Sequence, residues 1–157
     1  MELRSVEELM ELLYACQGAA PDGGGAPTPV DLHEHALQTA ALLRRSRPAD
    51  KELQVAGLVH AIGRLLHPGG AGQADLAADA VRTLLGERVA RLVRQQGSAG
   101  RHPDDDALTL RQAHDAATVP GLDAGVLEDW RTVLELVAAR AVHPSPGARP
   151  VHHLPGA

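Results

Sequence analysis

Leu53-Gln54-Val55-Ala56-Gly57-Leu58-Val59-His60-Ala61-Ile62-Gly63-Arg64-Leu65-Leu66 is the stretch on which the fold turns. Its apolar residues occupy most of a helix's circumference instead of one stripe, the pattern of a helix covered on several sides. Asp50 stands just ahead of it in the position of an N-cap, and Pro68 with Gly69 and Gly70 closes it. We read a central helix carrying Leu53 to Leu66, around which the other elements pack.

The flanking segments are helical as well. Ser5 and Glu8 form a capping-box signal before Val6, Leu9, Met10, Leu12 and Leu13, an amphipathic run that ends near Gly18. Pro21, Gly23, Gly24, Gly25 and Pro27 then forbid regular structure, so a flexible loop is expected up to Pro29. Asp31 with Glu34 repeats the capping signal, and Leu32, Ala36, Leu37, Ala40, Leu42 and Leu43 carry a second helix until Ser46 and Pro48 stop it. Beyond the central helix the pattern predicts helices over Ala74 to Leu85 and Glu87 to Gln95, broken at Gly86. Two more follow, over Ala107 to Ala117 and Val126 to Val142. No strand pattern and no internal repeat is present.

The expectation is therefore an all-α, compact bundle of five to seven helices in one domain over residues 1–142, followed by a Pro/Gly-rich flexible tail over 143–157. A chain of 157 residues, 44% hydrophobic, is long enough to bury one core. With no Phe, one Trp and one Tyr, that core must be filled by Leu, Val and Ala, which suits close helix packing.

A formal charge of -5 lacks the basic footprint needed to grip a phosphate backbone, so nucleic acid is not expected as a partner. The arginines at 44, 45 and 47 and at 88, 91 and 94 read as solvated helix faces. The single Cys16 lies on the apolar stripe of the first helix and reads as a core residue, not a nucleophile. With no signal pattern and no long apolar run, the expected location is the cytoplasm, with no membrane partner.

Two histidines carry the chemical interest: His35, early in the second helix, and His60, inside the apolar third. An imidazole in such a place costs free energy unless it has a partner. On spacing alone a hydrogen-bonded core histidine is favoured over a ligand. His33 lies about 200° from His35 round the helix and belongs to another face. His102, His143 and the pair His152-His153 fall in expected loops or the tail.

Pro29-Val30-Asp31-Leu32-His33-Glu34-His35-Ala36-Leu37-Gln38-Thr39-Ala40, the run Ala56 to Leu66, and Leu110-Arg111-Gln112-Ala113-His114-Asp115-Ala116-Ala117-Thr118-Val119-Pro120-Gly121 together resemble the HD-domain superfamily. The nearest branch resembles the phosphonate-degrading HD-domain oxygenases, relatives of inositol oxygenase with a mixed-valent diiron centre. In that branch a helical His, a His-Asp pair and a late Asp hold one iron, while the paired Asp bridges to a second iron held by two further histidines.

The resemblance implies that His35 and His60 occupy ligand positions, but Ala61 stands at the bridging Asp. Gln73 and Gln96 stand at or near the two second-iron histidines, and the late Asp falls on His114, with Asp115 its neighbour. Arg64 replaces a His, Gly100 replaces a substrate-pocket Lys, and a lid's worth of sequence is missing between Arg101 and Asp106. Arg111 matches an arginine that the family uses near its anionic substrate, and Arg64 is expected to point into the same cavity. Two adjacent cations need a bridging carboxylate, which Ala61 cannot supply, and neutral amides at Gln73 and Gln96 are poor substitutes for imidazoles. Neither diiron oxygenase nor bimetallic phosphohydrolase chemistry is expected.

Three readings remain. The first is a divergent, pseudoenzyme-like HD-fold protein without a cofactor, whose pocket binds or transforms a small metabolite, an organic anion or an uncharged molecule, through Arg64, Arg111, Gln73, Gln96 and Asp115. The second is a mononuclear metalloenzyme, oxygenase or hydrolase, with a single Fe or Zn ion on His35, His60 and His114. The third is a regulatory protein that binds a macromolecular partner through its helix faces. A homodimer is left open.

Overall fold

The computed structural model describes residues 2–19, 30–67, 72–97, 104–120 and 122–142. The loop expected before Pro29, the Gly/Pro break after the central helix, His102, and the tail with its histidines lie outside the described residues. Among those described, all regular structure is helical: α1 (Val6–Ala15), α2 (Leu32–Ser46), α3 (Lys51–Val59), α4 (Ile62–Leu66), α5 (Gln73–Leu85), α6 (Glu87–Gln95), α7 (Asp105–Ala116), a 3₁₀ turn (Leu127–Trp130) and α8 (Arg131–Val142). Taking α3 and α4 as one interrupted helix leaves seven, in keeping with the expected bundle. None of these helices is long and apolar enough to cross a membrane.

Short polar side chains set the helix starts. Ser5 accepts from the Glu8 N–H at 3.1 Å, while the Glu8 carboxylate reaches the Arg4 N–H and not that of Ser5, so the box is only half closed. Asp31 uses one oxygen for the Glu34 N–H at 2.8 Å and the other for the Gly18 N–H at 2.8 Å, tying the exit of α1 to the entry of α2. Asp50 caps α3 through the Leu53 N–H, and Asp104 caps α7 through the Ala107 N–H. Gly86, at φ +98, makes the corner between α5 and α6.

α3 is the centre. Every residue from Leu53 to Val59 is buried, and α2, α6, α7 and α8 all pack on it. The α2–α3 contact is close because Gly57 stands where a Cβ would lie 3.1 Å from the Thr39 methyl and closer still to Leu43. Trp130, fully buried under the Arg44 guanidinium at 4.7 Å, is the largest side chain of a core otherwise made mainly of Leu, Val and Ala, with Met10, Ile62 and Cys16.

Three expectations need correction. The central helix is not continuous: at His60-Ala61 the backbone bonding tightens from i→i−4 (His60 N–H to Ala56 O, 3.0 Å) to i→i−3 (Arg64 N–H to Ala61 O, 3.1 Å). The last helix starts later than expected, its first turn being 3₁₀. The arginines are not all solvated faces. Arg88 bonds Asp50 (2.7 and 2.8 Å), Glu52 (3.0 Å) and Asp106 (3.0 Å), and Arg47 joins Asp106, which ties α3, α6 and α7 together.

Candidate metal centre

Three helices converge on the histidines. His35 lies one turn into α2, and Thr39, one turn further, faces Gly57 of α3; the close approach there brings α3's end alongside His35. His60 caps the end of α3, and His114 sits in the last turn of α7. The ring centroids are 5.5 Å (His35–His60), 4.6 Å (His35–His114) and 4.9 Å (His60–His114) apart. Among the described residues this is the one group of three or more His, Cys, Asp or Glu side chains placed to share an ion, its ligand atoms all within 4.8 Å of one another.

The hydrogen bonds assign the ring protons. His35 Nδ1 lies 2.8 Å from the Ala117 carbonyl, and His60 Nδ1 lies 2.6 Å from the Gly57 carbonyl. A carbonyl can only accept, so both rings carry their proton on Nδ1, leaving a lone pair on each Nε2. Both lone pairs aim at one atom: His114 Nδ1, 3.0 Å from His35 Nε2 and 2.8 Å from His60 Nε2. With its proton on Nε2, His114 makes three lone pairs converge; with its proton on Nδ1, it has one hydrogen for two acceptors.

The electrostatics keep the His60 and His114 rings neutral. Burial, then the neighbouring His114 and His35, hold the His60 pKa well below the ordinary histidine range. Burial, then His35 and Arg64, push His114 down to about 4. Neutral imidazole is the form that ligates metals.

His60 and His114 form one wall of a cavity of about 690 Å³. Arg64, Arg111, Gln73, Gln96 and Asp115 line the same cavity, with Asp75 on its rim; His35 lies behind it. Thus the structure brings the three histidines together with Arg64, Gln73, Gln96, Arg111 and Asp115, although they come from α2, α3, α4, α5, α6 and α7 or their caps. Ala61 is buried nearby and offers only a methyl group. Gln73 donates to the His67 carbonyl and Gln96 leans on the Ala107 carbonyl, so their amides are engaged with backbone. These residues do not fit a second metal ion.

The remaining candidates fall elsewhere. His33 turns away, donating from Nδ1 to the Leu13 carbonyl at 2.8 Å and stacking on Tyr14. Cys16 is buried, its thiol pushed up to about 12 by burial and then by Asp31, and its S–H points to the Leu12 carbonyl. Such a thiol is inert.

Sequence reasoning passed over Gln38. It is fully buried one turn after His35, donating to the Val119 carbonyl at 2.7 Å and accepting from the Val119 N–H at 3.1 Å. A long polar side chain inside the apolar stripe of α2 was the available signal. The chain matches no family model and no curated protein.

Proposed function

We propose that this protein is a divergent, HD-like helical protein that holds a single divalent ion, Zn or Fe, on His35, His60 and His114, and uses it with the adjoining cavity to bind and transform a small anionic metabolite. The observation that carries this reading is the convergence of three nitrogens, two of which, on His35 and His60, already have the tautomer a metal needs fixed by the carbonyl behind each ring. Hydrogen-bonding the far side of each ligating imidazole is how metal sites orient their ligands. At a metal–nitrogen distance of about 2.0–2.1 Å, tetrahedral ligand nitrogens stand about 3.3–3.4 Å apart, so the observed 2.8 and 3.0 Å need to open by roughly half an ångström or less.

Three protein ligands leave a coordination position open toward the cavity. There an ion polarises a bound group as a Lewis acid or lowers the pKa of bound water. The cavity's own formal charges balance, Arg64 and Arg111 against Asp75 and Asp115, and the lowered pKa values of His60 and His114 leave those rings neutral. A divalent ion therefore leaves positive charge uncompensated, which favours an anionic ligand. Arg64 and Arg111 would orient it through forked hydrogen bonds, and Gln73, Gln96 and Asp115 of the same cavity would supply further polar contacts. Asp115, beside the open position, is the carboxylate available to take or give a proton there.

Calorimetry with zinc tests this in a chain whose His143, His152 and His153 are replaced by alanine, so that the tail cannot collect metal. The expected result is one ion per chain with a micromolar or tighter Kd, lost in His60→Ala. Binding no tighter than millimolar, with the cavity still taking up a small organic anion, overturns the metal centre. That result would favour a metal-free binding module, for which the hydrogen-bond distances among the rings also leave room.

A further inference from the structure

We infer that Gln38 is a positioning residue of the tri-histidine site, holding the His35 ring in its lone-pair-inward tautomer by clamping the backbone at residues 117–119. His35 and Gln38 are three residues apart on α2 and face the same way. His35 Nδ1 donates to the Ala117 carbonyl, and the Gln38 amide pairs with both polar groups of Val119, two residues on. The segment they hold leaves α7, which ends with a non-helical turn at Ala117 (φ −87, ψ 53).

The clamp has to come from a side chain. After α7 ends, the Ala117 carbonyl's direction is set by how the following residues lie, and the backbone bonds recorded there are short-range: Ala117 N–H to His114 O at 3.4 Å and Thr118 N–H to Ala116 O at 3.0 Å. Gln38 supplies a two-point attachment across 81 residues, with donor and acceptor in the same plane. Its amide is matched to the N–H and C=O of one residue, which Leu or Met at this position cannot reproduce. Without the clamp the carbonyl is free to turn away, and His35 loses the partner that keeps its proton on Nδ1. The proton then has access to Nε2, where it blocks the lone pair aimed at His114 Nδ1.

The effect on metal affinity rests on the single-ion reading, whereas the effect on the tautomer does not. The test therefore reads both, on the full chain. Nitrogen NMR of histidine-labelled, metal-free protein reports which nitrogen of His35 is protonated, and zinc calorimetry reports the affinity. In the wild-type protein His35 is expected to be protonated on Nδ1. In Gln38→Leu it shifts toward Nε2, and zinc binds 10- to 100-fold more weakly, about the range that outer partners of metal ligands command, while circular dichroism shows the helices intact.

Should Gln38→Leu fail to fold, Gln38→Met decides in its place. It fills a similar volume and carries neither the donor nor the acceptor, so a shift in the same direction is expected. An unchanged His35 tautomer in the folded variant overturns the inference, whatever zinc does. If the tautomer shifts but the wild-type protein binds no zinc, the clamp stands and the metal reading falls.

Discussion

Two glycines, six residues apart, set how closely the helices around the site approach, and they answer differently to the same substitution. A Cβ on Gly57 meets the ends of flexible side chains, a terminal methyl of Leu43 and the Thr39 methyl at 3.1 Å. A Cβ on Gly63 meets backbone: it lies 2.7 Å from the Gln73 carbonyl carbon and closer still to its oxygen. Overpacking costs about 1–3 kcal/mol, and replacing a mid-helix glycine by alanine returns up to about 1 kcal/mol of helix propensity. Gly57 lies inside α3, where that return is available and Leu43 can rotate, so Gly57→Ala should cost about 0–2 kcal/mol. Gly63 lies in the five-residue α4, where the return is small and α5 must retreat as a body, so Gly63→Ala should cost about 3 kcal/mol or more. At a urea m-value of about 2 kcal/mol/M, a difference of about 1.5 kcal/mol separates the two midpoints by about 0.7 M. Urea melts followed by circular dichroism measure it. Equal midpoints, or Gly57→Ala the lower, would refute the close approach of α4 to α5 and with it the placement of Arg64 and Gln73 on the cavity wall.

Stability should also respond to acid through the histidines: His60 and His114 titrate below their unfolded value of about 6.5, so the unfolded chain takes up protons first and stability falls as pH drops from about 6.5 toward 4. Urea melts across that window should show the slope, and His114→Gln should flatten it; an unchanged slope would mean that the rings are not buried together. Arg88→Met leaves Asp50, Glu52 and Asp106 facing one another without their shared cation, with a loss of about 1–3 kcal/mol expected in the same assay; a neutral outcome would reduce the network to surface decoration. Trp130→Ala should cost about 3–5 kcal/mol, since the ring is wholly buried, and a loss under about 1 kcal/mol would place Trp130 outside the core. Arg111→Ala should leave zinc affinity within a few-fold and weaken uptake of a small anion by the zinc-loaded protein, read by calorimetry; equal anion binding would remove Arg111 from the site.

The helical class and most element boundaries were legible in the residues themselves, because caps, breakers and apolar spacing act over a few residues. Gly86 separates α5 from α6 where the sequence placed the break, and Asp31 and Asp50 cap where they were expected. Asp104 was missed, being one of three consecutive aspartates, any of which suits a cap on local chemistry.

The break at His60-Ala61 could not be read from apolar spacing. It depends on a ring nitrogen competing for the Gly57 carbonyl and on α4 turning to meet the start of α5. Nor does the spacing of Arg88 reveal three carboxylates arriving from α3 and α7.

For the site, the sequence determined the candidates: two histidines at costly positions, and a third that rested on a resemblance. Only the tertiary structure decided that their nitrogens point at one another. Direction depends on which carbonyls take the opposite ring protons, and those belong to Ala117, 82 residues from His35, and to Gly57 at a helix end. Gln38 shows the same division. Its polarity within an apolar stripe is local information, but its partner lies across 81 residues, and a contact of that separation is set by the packing of α2 on α7, not by periodicity along either helix.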